Sequence, residues 1–302
     1  MISSRWVGAS TSQAIVKLLG ALVVATVVLF LASLTTSGDK ATASGWLLYV
    51  IGGAAVVGIY YYFADKPIWM VGTREVVMMA VGAVLYGIFA WATNVIQLPS
   101  VSFVSLRPAV AIPIFFGLAF GPVVGFFTGA VGNILGDAIT GWGVYPVWDL
   151  GNGLMGLIPG LIWAFSDRQR AADRLLVVVG GLLALFTILS FAFPTVEHPW
   201  NGTTVGQWAP VLLILLIAVV VVARFLLRAR PNLSAAVVWG AFGVIIGMGF
   251  ASIADIWVNG YNVPTALLGE FLPAAGTNLI FAIILVPILL AAWQAARAQT
   301  GR

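Results

Sequence analysis

The chain has no cysteine and a single histidine among its 302 residues. Disulfides and thiol nucleophiles are therefore excluded, and a zinc site built from cysteine and histidine lacks its ligands. The G-x-x-x-x-G-K-[ST] loop is also absent, so ATP cannot be bound through a P-loop and any ATP-driven work would require a partner. These absences predict a protein without metal, cofactor or catalytic residues.

Charged residues are scarce as well, at 8% of the chain against about 25% in a typical soluble domain. Hydrophobic residues make up 61%, which is more apolar surface than a water-soluble globule can cover with a polar exterior. The net charge of +4 does not indicate nucleic-acid binding, because the basic residues lie in short loops between apolar runs. The composition therefore predicts an all-α polytopic membrane protein.

Apolar runs of the length that a helix needs to cross the hydrocarbon core, roughly 20 residues, recur along the whole chain. The clear candidates are 14–34, 45–63, 75–93, 148–165, 175–193, 208–227, 235–257 and 271–293.

A further stretch, 109–139, is long for one span and short for two. It contains Gly121-Pro122, a dipeptide that favours a turn. Splitting the stretch there gives about ten spans with both termini in the cytoplasm, and leaves only Lys40 and Arg107 as basic residues in outer segments. Without the split, the positive-inside rule fails in the middle of the chain. We therefore predict a break at Gly121, with one short helix before it.

Polar residues collect on the outer side of this topology. Acidic side chains fall at outer helix ends, amides lie about one turn deeper, and aromatic rings surround the same level. Polar groups near hydrocarbon require partners or a water-filled cavity, and a polar pocket with aromatic walls suits a small, flat ligand, neutral or cationic. The predicted substrate-binding residues are Asn133, Asp137, Trp142, Tyr145, Trp148, Asp149, Asn152, Asp255, Trp257, Glu270 and Asn278.

Each of these residues also has a purely structural interpretation. Tryptophan and tyrosine at helix ends serve as membrane anchors. Asp149 could cap a helix, and Asp137, with Asn133 one turn away on the same face, could bond to a neighbouring helix. The G-x-G-x-x-G pattern at 151–156 is not a nucleotide site, because it lies inside an apolar helix rather than after a strand.

Three motifs follow one another along the middle of the chain: F-G-P-x-x-G at 120–125, G-N-x-x-x-D at 132–137 and G-N-G-L-M-G at 151–156. Together they resemble the substrate-binding S components of energy-coupling factor (ECF) vitamin transporters. The resemblance is dense over 74–163 and returns from 238 to the end, where 269–290 is similar to the last helix of that family.

The resemblance implies a six-helix bundle with a high-affinity pocket near the outer face. It also implies partners, namely an ECF scaffold membrane subunit and two cytoplasmic ATPase subunits. In the family the first core helix offers an Ala-x-x-x-Ala motif to the scaffold. The matching pair here is Ala83 and Gly87, the predicted scaffold-subunit contact.

The chain departs from the family by four additional helices. We predict a two-helix membrane extension at 1–70 and an S-component-like domain at 71–302. Within that domain, the core comprises 74–166 and 233–296, and 167–232 is an inserted helical hairpin.

The leading interpretation is thus a substrate-capture subunit of an ATP-driven importer in a prokaryotic plasma membrane. The alternative is a self-sufficient, ion-coupled secondary transporter, although such folds usually show internal repeats and a site at the midplane, which this sequence does not. A membrane-embedded enzyme is the third interpretation, and the absence of a recognisable nucleophile or metal constellation argues against it.

Overall fold

The computed structural model describes residues 67–97, 104–193 and 205–299, together with Gly58. The predicted spans 14–34 and 45–63 lie outside these ranges, so the two-helix extension stays a prediction. The side chain of Trp257 is likewise not described.

Most of the described residues are helical, and Gln97 and Ser105 form one isolated bridge. Short 3-10 turns cover Pro67–Trp69, Pro108–Val110 and Leu161–Ala164, and a π-helix covers Thr265–Phe271. The α-helices in these ranges are α1 Thr73–Thr93, α2 Ala111–Phe120, α3 Pro122–Thr140, α4 Pro146–Gly160, α5 Arg168–Ala192, α6 Val205–Leu226, α7 Pro231–Val258 and α8 Leu272–Gln299.

The chain is a multi-pass membrane protein. Six helical segments of the described part are long and apolar enough to span a bilayer: α1, α3, α5, most of α6 and α7, and the π-helix joined to α8. Their outward faces carry apolar side chains such as Val84, Ile188 and Ile288, each about half or more exposed, as lipid contact requires. The predicted total of about ten spans is not confirmed by this number. With its 3-10 turn, α2 reaches only Pro108–Phe120, roughly 20 Å, which is shorter than the hydrocarbon core.

The chain turns back at Gly121, as the sequence predicts. This glycine has φ 105° and ψ 168° and separates α2 from α3. A Cβ placed on Gly125 would lie 2.7 Å from the Cα of Gly117, whereas residues eight apart in one continuous helix are separated by about 12 Å. The two helices therefore fold against each other.

Replacing Gly121 with alanine is expected to destabilise the protein by about 1–3 kcal/mol, because a side chain at this φ and ψ strains the backbone. Steric overlap does not contribute, since the nearest atom, the oxygen of Ile68, would lie 3.5 Å from the new Cβ. The measurement is the temperature at which the detergent-solubilised protein loses its monodisperse elution peak. Gly180→Ala in α5, where nothing lies within 4 Å, is the matched control; equal midpoints for both variants would contradict the prediction.

Glycine contacts define the direction of each helix relative to its neighbours. Along α1 and α3 the contacting pairs advance together, from Gly82 with Thr128 to Gly87 with Gly136, so these two helices are parallel. Contacts between α3 and α4, α4 and α7, and α7 and α8 run in opposite directions, so these pairs are antiparallel. The C-terminal ends of α1, α3 and α7 therefore meet the N-terminal ends of α4 and the π-helix; we call this the polar end.

The helices α5 and α6 pack on each other and on α7. Arg224, a buried residue near the C-terminal end of α6, connects this end of α6 to α5 and α7. Its guanidinium donates to Asp173 Oδ1 at 2.5 Å, to Gln169 Oε1 at 3.2 Å and to the hydroxyl of Ser234 in α7. These contacts lie at the end of the bundle opposite the polar end, which we call the arginine-rich end.

Candidate functional site

A partly buried arginine, whose side chain is 14% exposed, lies at the centre of the polar end. Arg107 precedes α2, and its Nη2 donates to Asp137 Oδ1 of α3 at 2.7 Å. Its Nη1 donates to Asn133 Oδ1, and its Nε donates to Asn94 Oδ1 at the end of α1 at 2.9 Å. Burial by itself lowers the pKa of Arg107, but the Asp137 carboxylate more than offsets this, so the guanidinium pKa lies above its ordinary value and the group stays charged.

Asn133 extends this network to α4. Its amide nitrogen donates to Asp137 Oδ2 at 2.9 Å and to Asp149 Oδ1 at 2.7 Å. One turn further along α4, Asn152 accepts a bond of 2.6 Å from the hydroxyl of Tyr86 in α1 and donates to the carbonyl of Trp148. Three helices are thus connected by side-chain bonds in the interior. Asp137 plays the structural part foreseen for it, and a ligand contact of Asp137 stays a prediction.

One atom of this network has no partner. Asp149 is 4% exposed, and its Oδ2 is buried without a hydrogen bond to any residue that the structure describes. The network also contains two carboxylates and one guanidinium, which leaves an excess of one negative charge when both acids are ionised. A buried carboxylate oxygen is costly to leave unmatched, so Asp149 can accept a hydrogen bond from a donor that is not part of the described chain.

A second polar group lies beside the first. Trp148 Nε1 of α4 donates to Asp255 Oδ2 of α7 at 2.9 Å, and Asn259 donates to Asp255 Oδ1 at 2.8 Å. Since Trp148 and Asp149 are neighbours in the chain, the two groups adjoin at the start of α4.

The remaining predicted residues occupy the same end of the bundle at different depths. Glu270 is fully buried in the π-helix, and Asn278 is buried in α8. Trp142 and Tyr145 are half-buried in the connection between α3 and α4. Nothing is described of the side chain of Trp257.

Tyr261 adds a neutral hydroxyl to this end. It is half-buried in the connection after α7. Burial, together with the Glu270 and Asp255 carboxylates, raises the pKa of Tyr261 to about 12, so the hydroxyl remains protonated at physiological pH. The polar end therefore presents hydrogen-bond donors and acceptors of several kinds.

Sequence reasoning missed several members of the network. Arg107 was expected at the same end of the bundle as the acidic residues, where the structure places it, but without a partner. Tyr86, Asn94 and Thr140 were not singled out. Asn94 donates to Thr140 Oγ1 at 2.7 Å, which ties the ends of α1 and α3 together. The available signal was the isolated arginine among outer acidic residues, because a buried cation in a membrane protein requires an anion close by.

Ala83 and Gly87, the predicted scaffold contact, face the interior. Both are buried. A Cβ on Gly87 would lie 2.9 Å from the Cβ of Leu135, and one on Gly132 would lie 3.0 Å from the oxygen of Ala83. The pair therefore serves the contact between α1 and α3 in this structure, and its role in binding a scaffold stays a prediction.

Residues 151–156 are helical, as the sequence predicts, and they pack against two neighbouring helices. They lie within α4. A Cβ on Gly151 would lie 2.7 Å from the oxygen of Gly247 in α7, and one on Gly156 would overlap the oxygen of Gly125 in α3. No group of three or more potential metal-binding side chains occurs in the part of the chain that the structure describes.

Comparison with known families agrees with the resemblance. Residues 70–198 match the family model of the S component of ECF-type riboflavin transporters. This match confirms the resemblance over residues 74–163, and the resemblance from 238 to the end stays a prediction. The family that this model describes consists of transporter subunits.

Curated relatives match over part of the chain. A UPF0397 protein of Vibrio atlanticus is 40% identical over 119 residues, which are 39% of this chain and 63% of the relative. UPF0397 proteins of Aliivibrio salmonicida and Aliivibrio fischeri are 38% and 40% identical over 96 and 88 residues, or 32% and 29% of this chain. The chain spans 51% and 47% of their lengths, respectively. No solved structure matches the chain.

Proposed function

We propose, from the match of residues 70–198 to the S-component family, that this chain captures a small vitamin-like molecule for an ATP-driven ECF importer. The observation that carries the proposal is the polar end, where charged and amide side chains from α1, α3, α4 and α7 gather inside a bundle with apolar outer faces. Polar groups are retained in a membrane when they bond to one another or serve a ligand, and Asp149 Oδ2 still lacks a bond within the described residues.

The polar end faces the outside of the cell in this proposal, and both termini lie in the cytoplasm. Support comes from the distribution of arginines. Arg170, Arg174, Arg228 and Arg230 are exposed at the arginine-rich end, whereas Arg107 at the polar end is paired with Asp137. Basic loops stay in the cytoplasm. A ligand would therefore enter from outside, and the chain would rely on a scaffold subunit and two ATPases to release it inside.

Riboflavin is the first ligand to test, because the matched family model names it. Its flat ring system carries an imide and its side chain carries hydroxyls, so it offers both donors and acceptors. In this proposal the half-buried rings of Trp142, Tyr145 and Trp148 lie against the ring system, and Asp149 accepts a hydrogen bond from a donor on it.

The test begins with mass spectrometry of small molecules that copurify with the full chain in detergent, followed by riboflavin titration using quenching of flavin fluorescence. The chain is then placed in liposomes with and without the scaffold and ATPase subunits of the same cell. Uptake that requires ATP and the partners supports the proposal. Uptake by the chain alone, driven by an ion gradient, would instead establish the secondary-transporter alternative.

Asp149→Asn is expected to weaken ligand binding by about 5- to 100-fold, in line with about 1–3 kcal/mol for leaving a buried hydrogen-bond donor of the ligand unsatisfied. The substitution preserves the side chain's shape and the oxygen that accepts from Asn133, and replaces the partnerless Oδ2 with a donor. The matched control is Asp167→Asn at the start of α5, because asparagine caps a helix as well as aspartate. An unchanged dissociation constant for Asp149→Asn would remove Asp149 from the site.

A further inference from the structure

A shallow, open depression with an apolar floor and a basic rim lies along the last turns of α6 and the residues that follow it, at the arginine-rich end; we call it the groove. It has a volume of about 500 Å³ and is lined by Val221, Val222, Phe225, Leu226, Arg228 and Ala229. Phe225 and Leu226 are 59% and 77% exposed. The groove is remote from the polar end, because α6 reaches the arginine-rich end with its C-terminus. No part of the proposed transport function uses it.

The charges around the groove are unbalanced. Arg224, one turn before Arg228, points inward and is neutralised by Asp173. Arg228 and Arg230 are exposed and form no ion pair with any residue in the described ranges. One arginine of this helix end therefore serves the fold, and the next two remain available to an anion.

The depth of the groove matches the boundary between hydrocarbon and headgroups. The membrane-spanning part of α6 is Ala209–Leu226. Val221, Val222 and Phe225 lie in its last turns, and Arg228 follows two residues after its end. Headgroup phosphates lie at this level, and arginines at the cytoplasmic surface attract anionic lipids.

We propose that this groove binds one anionic phospholipid of the inner leaflet. An acyl chain lies along Val221, Val222 and Phe225, and the headgroup phosphate accepts hydrogen bonds from the Arg228 guanidinium, with Arg230 contributing charge. An apolar wall that ends in a cation requires a ligand with both an apolar tail and a negative head. A soluble anion satisfies only the second requirement, and a zwitterionic lipid leaves the excess positive charge unmatched.

The experiment uses the full chain in nanodiscs that contain equal amounts of phosphatidylglycerol and phosphatidylcholine. After transfer to detergent, native mass spectrometry gives the ratio of the two lipids that remain bound. The unchanged protein is expected to retain phosphatidylglycerol preferentially. Arg228→Gln is expected to lower that preference about fivefold, in line with about 1 kcal/mol per basic residue near a membrane surface. Arg228→Lys, which keeps the charge, is expected to retain most of it.

The matched control is Arg174→Gln, which removes an exposed arginine of the same end of the bundle from α5, outside the groove. The control is expected to leave the lipid ratio unchanged. Equal retention of both lipids by the unchanged protein, or equal losses in Arg228→Gln and Arg174→Gln, would overturn the proposal. So would displacement of the bound phosphatidylglycerol by inorganic phosphate, since that result would assign the site to a soluble anion.

Discussion

Arg107→Met is expected to destabilise the protein by about 3–5 kcal/mol, the range found when one partner of a buried ion pair is removed. The substitution leaves the Asp137 carboxylate, whose side chain is 6% exposed, without its counter-charge. It also removes the donors that satisfy the side-chain oxygens of Asn133 and Asn94. The measurement is the loss of monodisperse protein on heating in detergent, followed by size-exclusion chromatography.

A second substitution separates the charge effect from the lost packing. In Arg107→Met/Asp137→Asn the buried carboxylate is replaced by a neutral amide, so a large part of the lost stability should return. The control Arg174→Gln removes an arginine that is exposed and forms no ion pair with a described residue, and should change stability by less than about 0.5 kcal/mol. If the double variant were as unstable as Arg107→Met, the charge pair would not be the source of the loss.

The same variants bear on ligand binding. Arg107 orients Asn133, and Asn133 in turn donates to Asp149. Removing the arginine therefore leaves the amide of Asn133 free to rotate and weakens the positioning of Asp149, the residue that we propose accepts a hydrogen bond from the ligand. Asp149→Asn, by contrast, changes the acceptor without touching the arginine. Arg107→Met and Asp149→Asn should therefore both lower the affinity for the ligand, but they should differ in stability. Only Arg107→Met leaves a buried carboxylate without its counter-charge.

Helix placement was largely predictable because the information is local. The Gly121-Pro122 turn, the apolar runs and the loop arginines together define the order and direction of the described helices. Helix starts were predicted less well. The run 175–193 begins seven residues after α5, which starts at Arg168 with its first turn capped by Asp167. A membrane-spanning helix can extend beyond the apolar run when a capping residue satisfies its first turn. A hydropathy pattern detects only the apolar part of such a helix and therefore misses its polar first turns.

The pairing of polar side chains was not predictable from local patterns. Arg107 bonds to Asn133 and Asp137, which lie 26 and 30 residues further along the chain. Trp148 bonds to Asp255 across 107 residues. The topology places such residues at the same end of the bundle, but which donor meets which acceptor depends on helix rotation. The π-helix at Thr265–Phe271, which carries Glu270 into the interior, also left no signal in the apolar pattern.

The interface between α3 and α4 supplies the other large effect: Gly156→Ala is expected to destabilise the protein by about 3 kcal/mol, at the upper end of overpacking costs. A Cβ on Gly156 would overlap the backbone oxygen of Gly125 and lie 2.5 Å from its carbonyl carbon. Backbone atoms cannot rotate away as side chains do, so the two helices must separate. The readout is again the thermal midpoint in detergent.

Gly181→Ala in α5 is the matched control, because nothing lies within 4 Å of its added Cβ. Alanine in a helix is favoured over glycine by about 1 kcal/mol, so this variant should be as stable as the unchanged protein or slightly more. Similar midpoints for Gly156→Ala and Gly181→Ala would show that α3 and α4 are not in backbone contact.

Separation of α3 and α4 at Gly156 should also change the distance between these helices at the polar end. Asp149 lies about two turns, or 10 Å, from Gly156 along the same helix, and its bond to Asn133 crosses from α4 to α3. Any Gly156→Ala protein that remains folded should therefore bind ligand more weakly, although the substitution touches no polar residue. Gly181→Ala should bind normally. Unchanged affinity in a folded Gly156→Ala protein would mean that ligand binding does not depend on how closely α3 and α4 approach.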